Sequence, residues 1–169
     1  MPTKEEIVIK DACVLFDLLD LNLMEEFYKL DLIVYTTPQV IAEVTDEDQL
    51  SKVNVYIQSM KLKIDGNGLV DDVQFISDEY PGLSFADSSV IELAIRKNCT
   101  VLSSDNTLRK ISVKKKLIVH GMVWIIEELH RCEIISSENA IEKLRSYPEI
   151  NQRAPKKEID ELIRKLTSE

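Results

Sequence analysis

Apolar residues recur along the chain in two alternating rhythms. Ile7, Val8 and Ile9 form an unbroken run inside residues 6–10, which predicts a strand covered on both faces. Leu15, Leu18, Leu19, Leu23, Phe27 and Leu30 recur at helical spacing and predict one helix over residues 13–30. Residues 32–35 read as a second buried strand. Thr37-Pro38 then offers a capping hydroxyl followed by proline at the first helical position, with Val40, Ile41 and Val44 as the apolar face. Further helices are expected over residues 48–59, 70–79 and 107–112, with the strongest over 84–97, where Asn98 is the stop. Short strands are expected over 61–64, 100–103 and 117–119. Asp65-Gly66-Asn67-Gly68 is the clearest turn signal. The rest reads as helices over 123–130, 137–145 and 156–166.

Strands alternating with helices predict an α/β fold, a three-layer α/β/α arrangement around a central parallel sheet of about five strands. The length of 169 residues suits one such core. Residues 1–132 are expected to form this domain, with 133–169 as a helical C-terminal extension packed on it or appended to it.

Composition narrows the chemistry. The three cysteines are far apart and the two histidines lack ligand spacing, which speaks against zinc and haem. The apolar runs are too short to cross a bilayer. The early acidic residues stand where a signal peptide would be basic, so a cytoplasmic protein is expected. The net charge of −9 argues against simple phosphate binding by cations. It argues less against an enzyme whose carboxylates collect metal ions.

Open parallel sheets place functional groups at the carboxyl ends of their strands. Asp11 follows the first predicted strand, and Asp105 follows the strand ending near Ser103. Asp87 lies in the first turn of a strong helix, and Glu43 in the helix after the second strand. Taken singly, Asp87 also suits a helix N-terminus, Asp105 a cap, and Glu43 a solvated helix face. Asp11, between apolar stretches, is costly unless paired or liganded. Together the four could hold a divalent cation, and oxygen ligands favour Mg²⁺ or Mn²⁺.

The segments IVIKDACVLFDLL, VYTTPQVIAEV, GLSFADSSVIELAIRKNCTVLSSDNTLRK and VHGMVWIIEEL resemble successive blocks of a PIN domain, in the family's order. The tail resembles the helical extension of a bacterial and archaeal subfamily of toxin-like ribonucleases of the VapC type. The resemblance implies that Asp11, Glu43, Asp87 and Asp105 form the acidic quartet. Ser103 takes the place of the hydroxyl residue two before the last acid. Asn106 and Thr107 follow Asp105 where the family often has a further acid, which leaves one or two metals open. Glu92, five residues past Asp87, is expected to face elsewhere on the helix.

This resemblance implies a metal-dependent ribonuclease hydrolysing RNA phosphodiester bonds, with Mg²⁺ or Mn²⁺ as cofactor. Ser103 and Asn106 are candidates to position a carboxylate; Arg109, Lys110 and Lys114, with Lys115 and Lys116, are candidates to track a phosphate backbone. Arg96 and Lys97 read as surface residues complementing a helix dipole. Phe16, Phe27, Phe85 and Trp124 read as core. The toxin-like resemblance leaves open an antitoxin partner and a homodimer. A PIN fold serving as an inactive scaffold is the main rival. A receiver domain lacks its acidic pair at Lys10-Asp11, and a haloacid-dehalogenase-like phosphatase would need an acid where Cys13 stands.

Overall fold

A computed structural model describes residues 5–9 and 13–169. The elements run β1 (Glu5–Ile9), α1 (Cys13–Asp20), α2 (Met24–Phe27), β2 (Leu32–Thr36), α3 (Pro38–Ala42), α4 (Glu47–Gln58), β3 (Lys63–Ile64), α5 (Val70–Glu79), α6 (Phe85–Lys97), β4 (Thr100–Leu102), α7 (Asn106–Lys114), β5 (Val119–His120), α8 (Met122–Arg131), α9 (Ser137–Ile150) and α10 (Lys156–Thr167). The sheet has five parallel strands in the order β3-β2-β1-β4-β5 and is flanked by helices. This is the expected three-layer α/β/α class. In the central strand Ile7 pairs with Val34 on one side and Thr100 on the other, and its side chain is fully buried. The strand order reverses between β1 and β4. Ligands of such sheets bind in the crevice outside the carboxyl ends at this kind of switch point.

The chain forms two compact units: β1 with residues 31–119, and residues 15–30 with 120–169. The first is built around α6. Val90, Ile91, Leu93 and Ala94 are fully buried there, in one cluster with Val40 of α3, Ile76 of α5, Val101 of β4, and Leu108 and Ile111 of α7. In the second, α8 packs on α2, α9 and α10. Ile125, Ile126, Leu129, Leu144 and Tyr147 are almost wholly buried there. Among the described residues no helix is long and apolar enough to cross a membrane.

Two helices differ from the expectation. The apolar series over 13–30 is broken, because Asn22 adopts φ 56° and ends α1. Its N–H donates to Leu19 O at 3.0 Å and that of Leu23 to Leu18 O at 2.8 Å, the pattern of a left-handed C-terminal turn. Leu18 and Leu23 stay buried on either side of it, so the hydrophobic spacing resumes in α2 and hides the break. Conversely, α9 continues through Pro148 to Ile150. Proline removes one internal hydrogen bond, but this end of the helix is anchored. The Tyr147 hydroxyl donates to Asp17 Oδ2 at 3.4 Å and Asn151 Nδ2 donates to the same oxygen at 3.1 Å. Burial, then the charge and hydrogen bond of Asp17, push the Tyr147 phenol well above its ordinary value.

Candidate metal centre

The carboxyl end of β4 leads directly to the first candidate acid. Ser103 is buried, and its hydroxyl accepts the Asp105 N–H at 3.0 Å. Asp105 caps α7, its Oδ1 accepting the Leu108 N–H at 2.9 Å. A short serine turn and a helix cap therefore fix both the backbone and the side chain of Asp105. This position lies beside the switch point of the sheet.

Asp87 is fixed by an equivalent device at the start of α6. The Ser84 hydroxyl accepts the Asp87 N–H at 3.0 Å, and Asp87 Oδ2 accepts the Ser84 N–H at 3.2 Å. This reciprocal capping box satisfies two donors that a helix start leaves unpaired. Ser88 Oγ adds a bond to Ser84 O at 3.0 Å. Asp87 and Asp105 are both half-buried and both lie at helix N-termini, whose dipoles favour negative charge. Glu43 is exposed and stands one residue past α3, at its C-cap. Asp11 lies outside the described residues. Among the described residues, no three His, Cys, Asp or Glu side chains gather into a group that could hold a metal.

The remaining candidates divide. Asn106 is exposed at the first position of α7, Arg109 is half-buried on that helix, and Lys110 and Lys114 are exposed. Lys115 does not reach out along the surface. Its Nζ bonds Glu79 Oε1 at 2.9 Å and lies over the Tyr80 ring at 5.4 Å. Lys116 forms the left-handed turn after α7, at φ 61°. Phe27 is core, Phe16 and Trp124 are half-buried, and Phe85 is 39% exposed at the start of α6. Trp124 stacks face to face on His120, with ring centroids 4.2 Å apart.

Sequence reasoning missed a second charged cluster, farther along α6. Arg96 Nε bonds Glu92 Oε1 at 2.7 Å, and Arg96 Nη2 bonds Asp65 Oδ1 at 2.9 Å. Arg96 is thus the centre of an ion-pair network and not a surface complement to the helix dipole. Its neighbour Lys97 places Nζ over the Tyr35 ring at 4.6 Å. Burial pushes the Asp65 carboxyl up. The Arg96 bonds, the Asn67 N–H and the charges of Arg96 and Lys97 outweigh it and hold the carboxyl below its usual range. Glu92 is turned toward Arg96; its angular offset from Asp87 implied only that it faces elsewhere on the helix. The Glu92–Arg96 spacing of four residues was a visible signal. Asp65, thirty-one residues from Arg96, gave none beyond its turn chemistry.

Comparison with known proteins adds to this geometry. A family model described as a PIN domain matches residues 7–168. A crystal structure of PAE2754 from Pyrobaculum aerophilum is similar at 19% identity over 78% of this chain and 98% of that one, with a TM-score of 0.49; a likeness at that level assigns no residue. No curated protein matches the chain.

Proposed function

The chain belongs to the PIN-domain family, whose members are generally nucleases, and from that premise we propose that it is a metal-dependent endoribonuclease. The observation that carries this reading is the matched placement of Asp87 and Asp105. Each is a half-buried carboxylate at a helix N-terminus, with one oxygen tied to a backbone N–H.

Asp11, Asp87 and Asp105 are the proposed ligands, and Glu43 either joins them or orients water. The donors are all oxygens, which suits Mg²⁺ or Mn²⁺. Such an ion, when bound, supplies an acidified water and offsets charge on the phosphate. The chain contributes orientation. Ser103 fixes the backbone of Asp105, and Ser84 fixes that of Asp87, so neither carboxylate has to be ordered when the ion arrives. Asn106 stands beside this cap. Arg109, Lys110 and Lys114 are placed on the helix that Asp105 begins, where they offer positive charge to a phosphate backbone.

The reading extends to a cytoplasmic toxin held by an antitoxin, as a monomer or a homodimer. A small DNA-binding antitoxin encoded upstream would support that part. The central test is cleavage of single-stranded and structured RNA with Mg²⁺ or Mn²⁺, comparing the wild type with Asp11→Asn and Asp105→Asn. Loss of cleavage in both variants is expected. Cleavage unchanged in both would overturn the mechanism. A wild type that neither cleaves RNA nor gains thermal stability from Mn²⁺ would instead be an inactive scaffold.

A further inference from the structure

Two buried hydroxyls join α3, which Glu43 directly follows, to α6, which carries Asp87. Thr37 and Ser89 are 3% and 2% exposed, and their oxygens lie 2.8 Å apart across fifty-two residues of sequence. The direction of this bond follows from its neighbours. Ser89 Oγ donates its one proton to Ala86 O at 2.6 Å, so the Thr37 hydroxyl must donate to Ser89. Thr37 Oγ1 in turn accepts the Val40 N–H at 3.2 Å. The result is a directed chain from the Val40 N–H through Thr37 and Ser89 to the Ala86 carbonyl. Every hydroxyl in it both donates and accepts, an arrangement in which each bond strengthens the next.

The chain spans from the first turn of α3 to the first turn of α6. Asp87 lies between Ala86 and Ser89, and Glu43 lies one residue past the end of α3. A helix of five residues has little stability of its own, so its placement depends on what it is fastened to. Val40 packs in the same cluster as Ala86 and Val90. That apolar contact resists separation but permits sliding, whereas a directed hydrogen-bond chain fixes the register.

We infer that Thr37 and Ser89 are positioning residues that set Glu43 against Asp87, and so tune divalent-cation binding at the proposed site. The inference rests on the reading of that site as a metal centre. Thr37→Val keeps the shape of the side chain and breaks the chain at its middle. Ser89→Ala breaks it at the next link, with a smaller disturbance to α3. Thr37→Ser keeps the hydroxyl and should restore whatever Thr37→Val loses.

The experiment measures Mn²⁺ binding by calorimetry on the whole chain, together with amide hydrogen exchange at residues 40–44. Thr37→Val and Ser89→Ala should weaken Mn²⁺ binding by roughly tenfold, as lost supporting contacts around metal sites do. They should speed exchange in α3 and leave α7 unaffected, and Thr37→Ser should match the wild type in both. Folded variants with wild-type Mn²⁺ affinity would overturn the inference while leaving the metal centre standing. A wild type that binds no Mn²⁺ would overturn the metal centre, and the inference with it. Unchanged exchange in α3 would show that the hydroxyl chain does not hold that helix.

Discussion

The two ends of α6 hold their carboxylates by different means. Toward the C-terminus, the buried carboxylates of Glu92 and Asp65 converge on one guanidinium, which is itself partly exposed. At the N-terminus, Asp87 is bonded to the backbone N–H of Ser84, and Asp105 is held likewise by Leu108 at the start of α7. An arginine neutralises the carboxylate it binds and takes up both oxygens. A backbone N–H orients a carboxylate without carrying a full opposing charge. Residue type does not separate the two groups; what holds them does. The contrast marks the Arg96 cluster as an ion-pair network and leaves the capping acids as the metal ligands proposed above.

The strongest way to break this comparison is to replace the capping acids by their amides. Asparagine caps a helix about as well as aspartate, so Asp105→Asn should fold with nearly unchanged stability. Its RNA cleavage should fall by at least on the order of 10²-fold, the usual scale for losing one essential electrostatic group at a reaction centre. Equal losses of stability and activity would place Asp105 with the structural acids.

Arg96→Ala tests the other side. It strands two buried carboxylates and should cost about 2–3 kcal/mol in urea unfolding, less than a fully buried pair because the arginine is partly exposed. The pH dependence has a definite sign. The Asp65 carboxyl titrates below its usual 3.8 in the folded protein. Its contribution is therefore complete above that value and disappears as the pH falls through the lower folded value. Wild type should lose stability on acidification below about pH 4, and Arg96→Ala should lose less over the same interval.

Gly68 offers a finer probe of the same cluster. A Cβ there would lie 2.5 Å from Glu92 Oε2, and Arg96 restrains that carboxylate from moving away. Gly68→Ala should cost about 1–2 kcal/mol. In Glu92→Ala, where the obstacle is gone, the same change should cost much less. Additive costs in the double variant would mean that Glu92 is not held where it stands.

The smallest expected effects concern left-handed residues just past helix ends. Asn22, Met60, Asn98, Lys116 and Glu133 all adopt positive φ, and no glycine among the described residues does. A side chain in this region carries a penalty that glycine avoids. Met60→Gly and Glu133→Gly should each raise stability by about 0.5–1 kcal/mol, read from the denaturation midpoint, and leave cleavage unchanged.

Much of the frame was legible in the sequence. The run of three apolar β-branched residues at 7–9 marked the central strand, and Ser84 and Asn98 marked both ends of α6 within a residue. Thr37-Pro38 marked the start of α3 for the physical reason expected, a hydroxyl accepting a backbone N–H ahead of proline. Other features were hidden because they depend on distant partners. The turn at Asn22 leaves the hydrophobic spacing intact on both sides. The role of Arg96 needs Asp65, and the persistence of α9 beyond Pro148 needs Asp17. Position at strand ends and helix starts singled out Asp87 and Asp105 together with Asp11 and Glu43, and the family resemblance pointed to Ser84 and Ser103. Neither revealed the pairing of Thr37 with Ser89, two hydroxyl residues that read as ordinary capping and helix chemistry.

The brevity of the outer strands also bears on how the molecule behaves in a crowd. β3 and β5 close the two margins of the sheet, and each is two residues long. An unpaired margin is a template onto which a foreign strand can add, and short margins with nearby lysines are poor templates. Lys61 and Lys63 guard one side, and Lys114–Lys116 precede the other. Aggregation through sheet extension would first require one of these margins to peel back and expose β2 or β4. The sheet's resistance to fibre formation therefore depends on its two shortest elements.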